Sequence, residues 1–155
     1  MPGIPSRLSG TGDNGAVPNP CDPSADPAAQ RPEHCPCLSG ERYSVCCGPL
    51  HAGVTPAPTA ERLMRSRYSA FAVGDVDYLI DTWHPSTRPA HFDLDDSIRW
   101  TRLDIERTEK GGPFDSAGLV EFTAYCRKGG VRSAQHEVSR FTRVAQRWYY
   151  LDAEG

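Results

Sequence analysis

Residues 35–48 read CPCLSGERYSVCCG, and this stretch holds four of the six cysteines in the chain. A Cys-x-Cys pair is followed, after eight residues, by two adjacent cysteines. A tight Cys-x-Cys turn can direct two sulfurs at one point, and Gly40 permits the chain to reverse so that the adjacent pair returns to them. Tetrahedral Zn²⁺ takes four thiolates at about 2.3 Å. The spacing therefore predicts a closed structural zinc site with the ligands Cys35, Cys37, Cys46 and Cys47.

Disulfides and redox-active thiols are the alternatives for these cysteines. Adjacent cysteines rarely bridge to each other, and disulfides belong to oxidising compartments. The first seven residues, MPGIPSR, lack the apolar segment of a secretory signal, which favours a cytoplasmic protein with reduced thiols. His34 and His51 flank the cluster and could replace a cysteine ligand. A solvated imidazole, or one that hydrogen-bonds behind the ligands, is the favoured alternative for both.

Composition divides the chain into three parts. Residues 1–33 contain seven prolines and four glycines, so we expect a disordered tail in which Cys21 is an exposed free thiol. Residues 34–53 form the zinc-binding part, which has too little apolar content to fold without its metal. Residues 54–155 carry the periodicity of a folded domain.

The net charge of −3, without a basic stripe, argues against nucleic-acid binding. No apolar run approaches the roughly 20 residues of a membrane span.

The third part begins with two predicted helices. Thr59 is suited to cap the first helix, whose apolar face includes Met64, Tyr68 and Phe71, and Gly74 is suited to end it in the left-handed conformation. Asp75 caps the second helix, whose apolar spacing continues to Trp83 and which stops before Pro85. Two amphipathic helices joined by Gly-Asp form a helical hairpin.

Four predicted strands follow, over residues 98–107, 119–127, 131–144 and 148–151. In the first strand, alternation puts Thr101, Leu103 and Ile105 on one face and Trp100 on the other. Short connections, including Gly129-Gly130, imply an antiparallel meander. Because only the helices can cover the apolar face of this sheet, we expect an α+β half-barrel with a cleft between the curved sheet and the helical hairpin.

Candidate cleft residues are His84, Trp100, His136 and Glu137. His136 and Glu137 are neighbours on one strand, so their side chains point to opposite faces and at most one of them reaches the cleft. A histidine near a carboxylate could act as a general acid or base, but a hydrogen-bonded structural role is the alternative. The aromatic side chains are expected mostly in the core, and Cys126 as a buried thiol.

The motif Cys-Pro-Cys-x-Ser-Gly-x-x-Tyr-x-x-Cys-Cys-Gly at residues 35–48 resembles the SEC-C zinc knuckle that also ends the SecA translocation ATPase. The segments LMRSRYSAF at 63–71, GDVDYL at 74–79, TWHPSTRP at 82–89 and RWYY at 147–150 resemble the YchJ-like family of small bacterial proteins. That resemblance covers residues 34–152 and implies an NTF2-like cone behind the knuckle. Leu38, Glu41 and Ser44 depart from the SecA-like pattern, in which the last two positions are usually basic.

The resemblance implies a protein partner for the knuckle, and the sequence leaves two kinds of function open. One is a non-catalytic adaptor, in which the knuckle docks a protein and the second domain binds another partner or a small molecule. The alternative is a small isomerase or dehydratase that uses a histidine or glutamate in the cleft. Homodimerisation through the open sheet face is a third interpretation.

Overall fold

The computed structural model describes residues 32–154. The predicted tail therefore lies outside the described residues except for its last two, and Cys21 lies outside them as well. Within this range the order is a 3₁₀ turn, three α-helices and four strands: 3₁₀ Tyr43–Val45, α1 Cys47–His51, α2 Ala60–Val73, α3 Val76–Asp81, β1 Ile98–Lys110, β2 Ala117–Lys128, β3 Val131–Val144 and β4 Arg147–Ala153. None of the described helices is long and apolar enough to cross a membrane.

Local signals set the ends of α2 and the start of α3. The Thr59 side chain accepts a hydrogen bond from the Arg62 amide, and Gly74 ends α2 with φ of 80°. The Asp75 carboxylate accepts a hydrogen bond from the Tyr78 amide at the start of α3. These three caps confirm the prediction of a helical hairpin.

The second helix is shorter than predicted, because α3 ends at Asp81 and not next to Pro85. The chain beyond it pairs with the last strand: the Tyr150 amide donates to the Thr82 carbonyl and the His84 amide donates to the Tyr150 carbonyl, each at 2.8 Å. Trp83 thus lies in a bridge to β4. A long-range backbone pairing has replaced the last helical turn that the apolar spacing predicted.

The sheet is antiparallel with the strand order β1-β2-β3-β4, as predicted. Strands β1, β2 and β4 are longer than predicted, and β3 has the predicted bounds. Gly129 and Gly130 both have positive φ in the turn between β2 and β3. In the turn between β3 and β4, two residues other than glycine have the left-handed backbone conformation, with φ of 51° at Ala145 and 67° at Gln146.

A β-bulge overturns the predicted faces of β1. The register passes from the pair Trp100–Cys126 to the pair Arg102–Tyr125, which leaves Thr101 as an extra residue. Leu103 then lies opposite Ala124, so Trp100 and Leu103 share the inner face of the sheet. Strict alternation had placed them on opposite faces, and it fails here because one residue is inserted.

One continuous core joins the cysteine-rich segment to the helices and the sheet. The four clustered cysteines, Tyr43 and Leu50 belong to the same set of buried residues as the α2 side chains and the aromatics of β2, β3 and β4. The connecting segment takes part in this packing, because Ala57 is buried and the Trp148 indole donates to the Pro58 carbonyl. The cysteine-rich segment is therefore packed into the body of the protein.

Candidate functional site

A short hairpin brings the two halves of the cysteine motif together. The Cys35 amide donates to the Glu41 carbonyl and the Tyr43 amide donates to the Glu33 carbonyl, each at 3.0 Å. Between them the chain reverses, with φ of 62° at Leu38 and 89° at Gly40. The reversal at Gly40 agrees with the prediction from the sequence, while the left-handed conformation of Leu38 is an additional requirement of the turn.

The two adjacent cysteines reach the same point because the backbone bends between them. Cys46 has φ of −112° and ψ of −98°, which is neither helical nor extended, and it separates the 3₁₀ turn from α1. Cys47 is the first residue of α1. In a regular strand, neighbouring side chains would point apart.

The four sulfurs lie as a tetrahedral metal site requires. All of them are within 4.8 Å of one another, and every one of the four cysteines is buried. Sγ of Cys46 is 3.7 Å from Sγ of Cys37 and 4.0 Å from Sγ of Cys47. Four thiolates at about 2.3 Å from one zinc ion would be separated by about 3.8 Å. The described cysteines are free thiols, so disulfides are absent from this part of the chain.

Hydroxyl and guanidinium groups surround two of the sulfurs. Ser39 Oγ lies 3.1 Å from Sγ of Cys46, and Arg62 Nη1 donates to the same sulfur at 3.4 Å. Ser69 Oγ lies 3.5 Å from Sγ of Cys35. Such donors stabilise thiolates and orient metal ligands.

Two arginines of α2 also fix the backbone of the cysteine segment. Arg62 Nη2 donates to the Cys46 carbonyl and Arg65 Nη1 donates to the Cys37 carbonyl, each at 3.1 Å. The α2 helix therefore holds both halves of the motif. Sequence reasoning missed this contribution, because the spacing between the motif and the arginines carries no signal for it.

The electrostatics of the cluster favour a cation. Hydrogen bonds from Cys37 and Cys47 lower the pKa of Cys35 to about 3, and the same network raises the pKa of Cys47. The thiols of Cys35 and Cys47 thus compete for one proton, and both can ionise only with a positive charge beside them. Burial would lower the pKa of Arg62, but its hydrogen bond to Cys46 and the nearby sulfurs raise it above its usual range.

His51 is fully engaged outside the cluster. Its Nε2 lies 2.8 Å from the Ser66 carbonyl and must donate to it, so in the neutral ring Nδ1 accepts from the Tyr43 hydroxyl at 2.6 Å. These bonds join the end of α1 to α2. His34 is exposed, and neither histidine belongs to the group of side chains that could share one metal ion.

The candidate cleft residues do not converge. His84 Nδ1 lies 2.7 Å from Ser86 Oγ in an exposed turn, and Trp100 packs against the ring of Tyr68. His136 lies opposite Thr123 and Glu137 opposite Phe122, so the prediction that they face opposite sides of the sheet is confirmed.

His136 is on the outer face of the sheet, where its Nε2 lies 2.6 Å from a Glu121 oxygen and 3.3 Å from a Glu106 oxygen. Glu137 accepts from the Ser139 hydroxyl at 2.7 Å on the inner face. Histidine and glutamate therefore cannot act on one substrate together. The two carboxylates beside His136 instead give it ion-pairing partners.

Inside the cone, a buried arginine occupies the space between the helices and the sheet. Arg67 is 1% exposed; its Nη1 donates to the Leu79 carbonyl at 2.8 Å and to Thr82 Oγ1 at 2.7 Å. Its guanidinium lies over the rings of Trp83 and Tyr150, and burial lowers its pKa to about 10. The helical spacing 60, 64, 67, 71 contained this signal, because it puts Arg67 on the apolar face of α2.

Comparisons with known proteins agree with this architecture. A family model described as YchJ, middle NTF2-like domain, matches residues 59–153. A UPF0225 protein of Streptomyces coelicolor is 52% identical over 120 residues, which cover 77% of this chain and 94% of that protein. A UPF0225 protein of Corynebacterium efficiens is 53% identical over 116 residues, covering 75% of this chain and 88% of that one.

Two solved structures have the same fold. The solution structure of a SEC-C motif containing protein from Rhodopseudomonas palustris has a TM-score of 0.69 at 38% identity and covers 78% of this chain and 97% of that chain. The crystal structure of a SEC-C motif containing protein from Psychrobacter arcticus has a TM-score of 0.63 at 29% identity. It covers 76% of this chain and 80% of that chain. With its four close cysteines and its four-stranded NTF2-like domain, the chain belongs to the YchJ (UPF0225) family.

Proposed function

We propose that the protein is a zinc-dependent, non-catalytic binding module whose cysteine-rich segment docks a protein partner. The observation that carries this proposal is the buried cluster of four sulfurs with exposed apolar side chains directly beside it. Four protein thiolates leave no coordination position for water, so the metal would be structural. Thiolate ligands favour zinc over magnesium, calcium and manganese.

The proposed docking surface consists of Leu38 and Val45. Each is adjacent in sequence to a ligand, Cys37 or Cys46, and they are 57% and 65% exposed. The metal-bound turns would hold both side chains rigidly, which lowers the entropy cost of binding. The matching partner is a protein segment that offers apolar side chains. Glu41 and Arg42 are both exposed in this segment and their charges offset each other, so we expect apolar contacts and not net charge to determine the choice of partner.

The contents of the cone support a binding role over catalysis. Among residues 32–154 His136 and Glu137 lie on opposite faces of the sheet, and Arg67 with its two aromatic neighbours lies in the interior. The alternative of an isomerase or dehydratase requires a histidine or carboxylate at an open cleft. The described residues do bring His136 together with Glu121 and Glu106, but on the outer face of the sheet and not at a cleft.

We also propose that the protein works in the cytoplasm, because clustered free thiols persist in a reducing compartment. Alkylation in intact cells with a thiol reagent that does not cross the inner membrane tests this. The reporter is Cys21, which the sequence predicts to be an exposed thiol; in a cytoplasmic protein it stays unmodified until the cells are lysed. Modification in intact cells would contradict the proposed location.

The docking surface is tested by affinity capture with three versions of the zinc-loaded protein. Leu38→Ser with Val45→Ser removes the proposed contact, and Val131→Ser is a matched control, since Val131 is 68% exposed at the start of β3. We expect a protein captured by the wild type and the control, in equal amounts, to be lost with the double variant at unchanged zinc content. Equal capture by all three versions would refute docking at this surface, and a second copy of the chain as the captured species would identify a homodimer.

A further inference from the structure

A cavity of about 470 Å³ opens where the cysteine-rich segment meets the NTF2-like domain. We call it the junction pocket. Its walls come from α1, the connecting segment, α2, α3 and the turn between β3 and β4, represented by Leu50, Thr55, Leu63, Tyr78 and Gln146. Pockets that bind small molecules typically have volumes of about 300–1,000 Å³. The junction pocket is therefore large enough for a small organic molecule, and it is distinct from the filled interior around Arg67.

The lining combines an apolar wall with polar groups and a single charge. The buried side chains of Leu50, Leu63 and Trp148 form an apolar floor. Exposed Pro56 adds apolar surface and exposed Gln146 provides a polar group. Arg147 is the one charged side chain among the lining residues, which include neither aspartate nor glutamate. A cationic group at an apolar pocket without acidic neighbours attracts an anion.

A second guanidinium lies behind the wall. Arg67 Nη1 donates to Thr82 Oγ1, and Arg67 Nη2 is buried without a hydrogen-bond partner among the described residues. The carboxylate of Glu137 interacts with Arg67 from the inner face of the sheet and offsets part of this charge. Arg147 is exposed, and its guanidinium lies 5.5 Å from the centre of the Tyr149 ring. It supplies most of the attraction for an anion, and the buried Arg67 adds to it.

The turn at the mouth has an unusual backbone. Ala145 and Gln146 both have positive φ, where the turn between β2 and β3 uses two glycines. Ordinary residues are strained in this region, and such strain is concentrated where the position of a side chain matters. This turn directly precedes Arg147 and brings Gln146 to the lining.

We propose that the junction pocket binds a small organic oxyanion, either a carboxylate or a phosphate ester, that carries an apolar body. The body packs on Pro56 and on the floor formed by Leu50, Leu63 and Trp148, and the oxyanion pairs with Arg147 and accepts a hydrogen bond from the Gln146 side chain. The Thr82 hydroxyl is already engaged, because it accepts from Arg67 and donates to the Tyr78 carbonyl. Charge-assisted hydrogen bonds to arginine give this arrangement its preference for anions.

The test is a titration of the ¹⁵N-labelled, zinc-loaded full chain followed by NMR. The probes are phenyl phosphate, benzoate, inorganic phosphate and benzylamine. We expect saturable shifts of the Trp148 indole and Gln146 amide signals with at least one aromatic anion, and none with benzylamine. Tighter binding of phenyl phosphate identifies a phosphate ester as the ligand class, and tighter binding of benzoate identifies a carboxylate.

Two arginine variants decide whether the site is specific. Arg147→Ala should weaken binding of the aromatic anion about tenfold or more, because a charge-assisted hydrogen bond is lost. Arg132→Ala removes an exposed arginine at the opposite end of β3 and should leave binding unchanged.

Three results would overturn the proposal. These are equal affinity of the Arg147 variant and the wild type, absence of saturation with both aromatic anions, and binding of inorganic phosphate as tight as that of phenyl phosphate. Leu38 and Val45 do not line this pocket, so failure here leaves the docking proposal standing.

Discussion

The contact between Arg62 and Cys46 gives the sharpest prediction for the metal centre. Arg62 donates to Sγ of Cys46 at 3.4 Å and to the carbonyl of the same residue at 3.1 Å. A hydrogen bond to a charged group contributes about 1.5–3 kcal/mol. Because Arg62 is only half-buried, we take the lower end, about 1.5 kcal/mol, which corresponds to about a tenfold change in affinity.

We therefore expect Arg62→Met to weaken zinc binding about tenfold, in line with the roughly 10–100-fold losses typical when partners of metal ligands are removed. Arg65→Met is the matched control. Arg65 is on the same helix and also contacts the cysteine segment, but it donates to the Cys37 carbonyl and not to a sulfur. Methionine and arginine have similar helix propensities, so neither substitution weakens α2 through propensity. Arg65→Met additionally removes an i,i+4 ion pair with Glu61, which is worth only a few tenths of a kcal/mol.

The measurement is competition for zinc between the reduced protein and a chromophoric chelator of known affinity. The Arg62 variant should lose zinc at about one tenth of the chelator concentration that the wild type needs, while the Arg65 variant should stay within about threefold of the wild type. Equal losses in the two variants would show that the backbone contacts matter and the sulfur contact does not. An unchanged affinity in the Arg62 variant would show that the contact between Arg62 and Cys46 does not stabilise the bound zinc.

Three further predictions concern stability, each measured by thermal unfolding of the zinc-loaded protein. Ala145→Asn with Gln146→Gly suits the left-handed turn and should stabilise the fold by about 1–2 kcal/mol; a lower melting temperature would contradict the assigned turn. Gly118→Ala should destabilise by about 1–3 kcal/mol, because the new Cβ would lie 2.5 Å from Gly111 Cα and 3.0 Å from Ala60 Cβ; melting like that of the wild type would show that these backbones are further apart. His51→Phe removes the hydrogen bonds to Tyr43 and Ser66 and should lower the free energy of unfolding by about 2 kcal/mol. An unchanged melting temperature would mean that these bonds do not stabilise the contact between α1 and α2.

Features with short-range causes could be predicted from the sequence. Thr59, Gly74 and Asp75 cap their helices through hydrogen bonds and backbone angles that involve residues at most four positions away. The cysteine cluster was predictable for the same reason, because its spacing within thirteen residues fits one tetrahedral ion. The hairpin at Gly129-Gly130 follows equally from local chemistry.

Features that depend on distant parts of the chain were not predictable in the same way. The bulge at Thr101 depends on the register with β2, and the early end of α3 depends on pairing with Tyr150. The donation from Arg62 to Cys46 spans sixteen positions and requires that α2 lie against the cysteine segment. The turn at Ala145-Gln146 contains no glycine, so the sequence did not indicate its left-handed backbone conformation.

We propose that one zinc ion is bound by the four sulfurs of Cys35, Cys37, Cys46 and Cys47. Metal analysis of the reduced, purified full chain, with X-ray absorption at the zinc edge, tests it most directly. We expect one zinc per chain with four sulfur neighbours at about 2.3 Å. Metal-free protein that retains its fold, or zinc with nitrogen or oxygen neighbours in place of a sulfur, would contradict the claim.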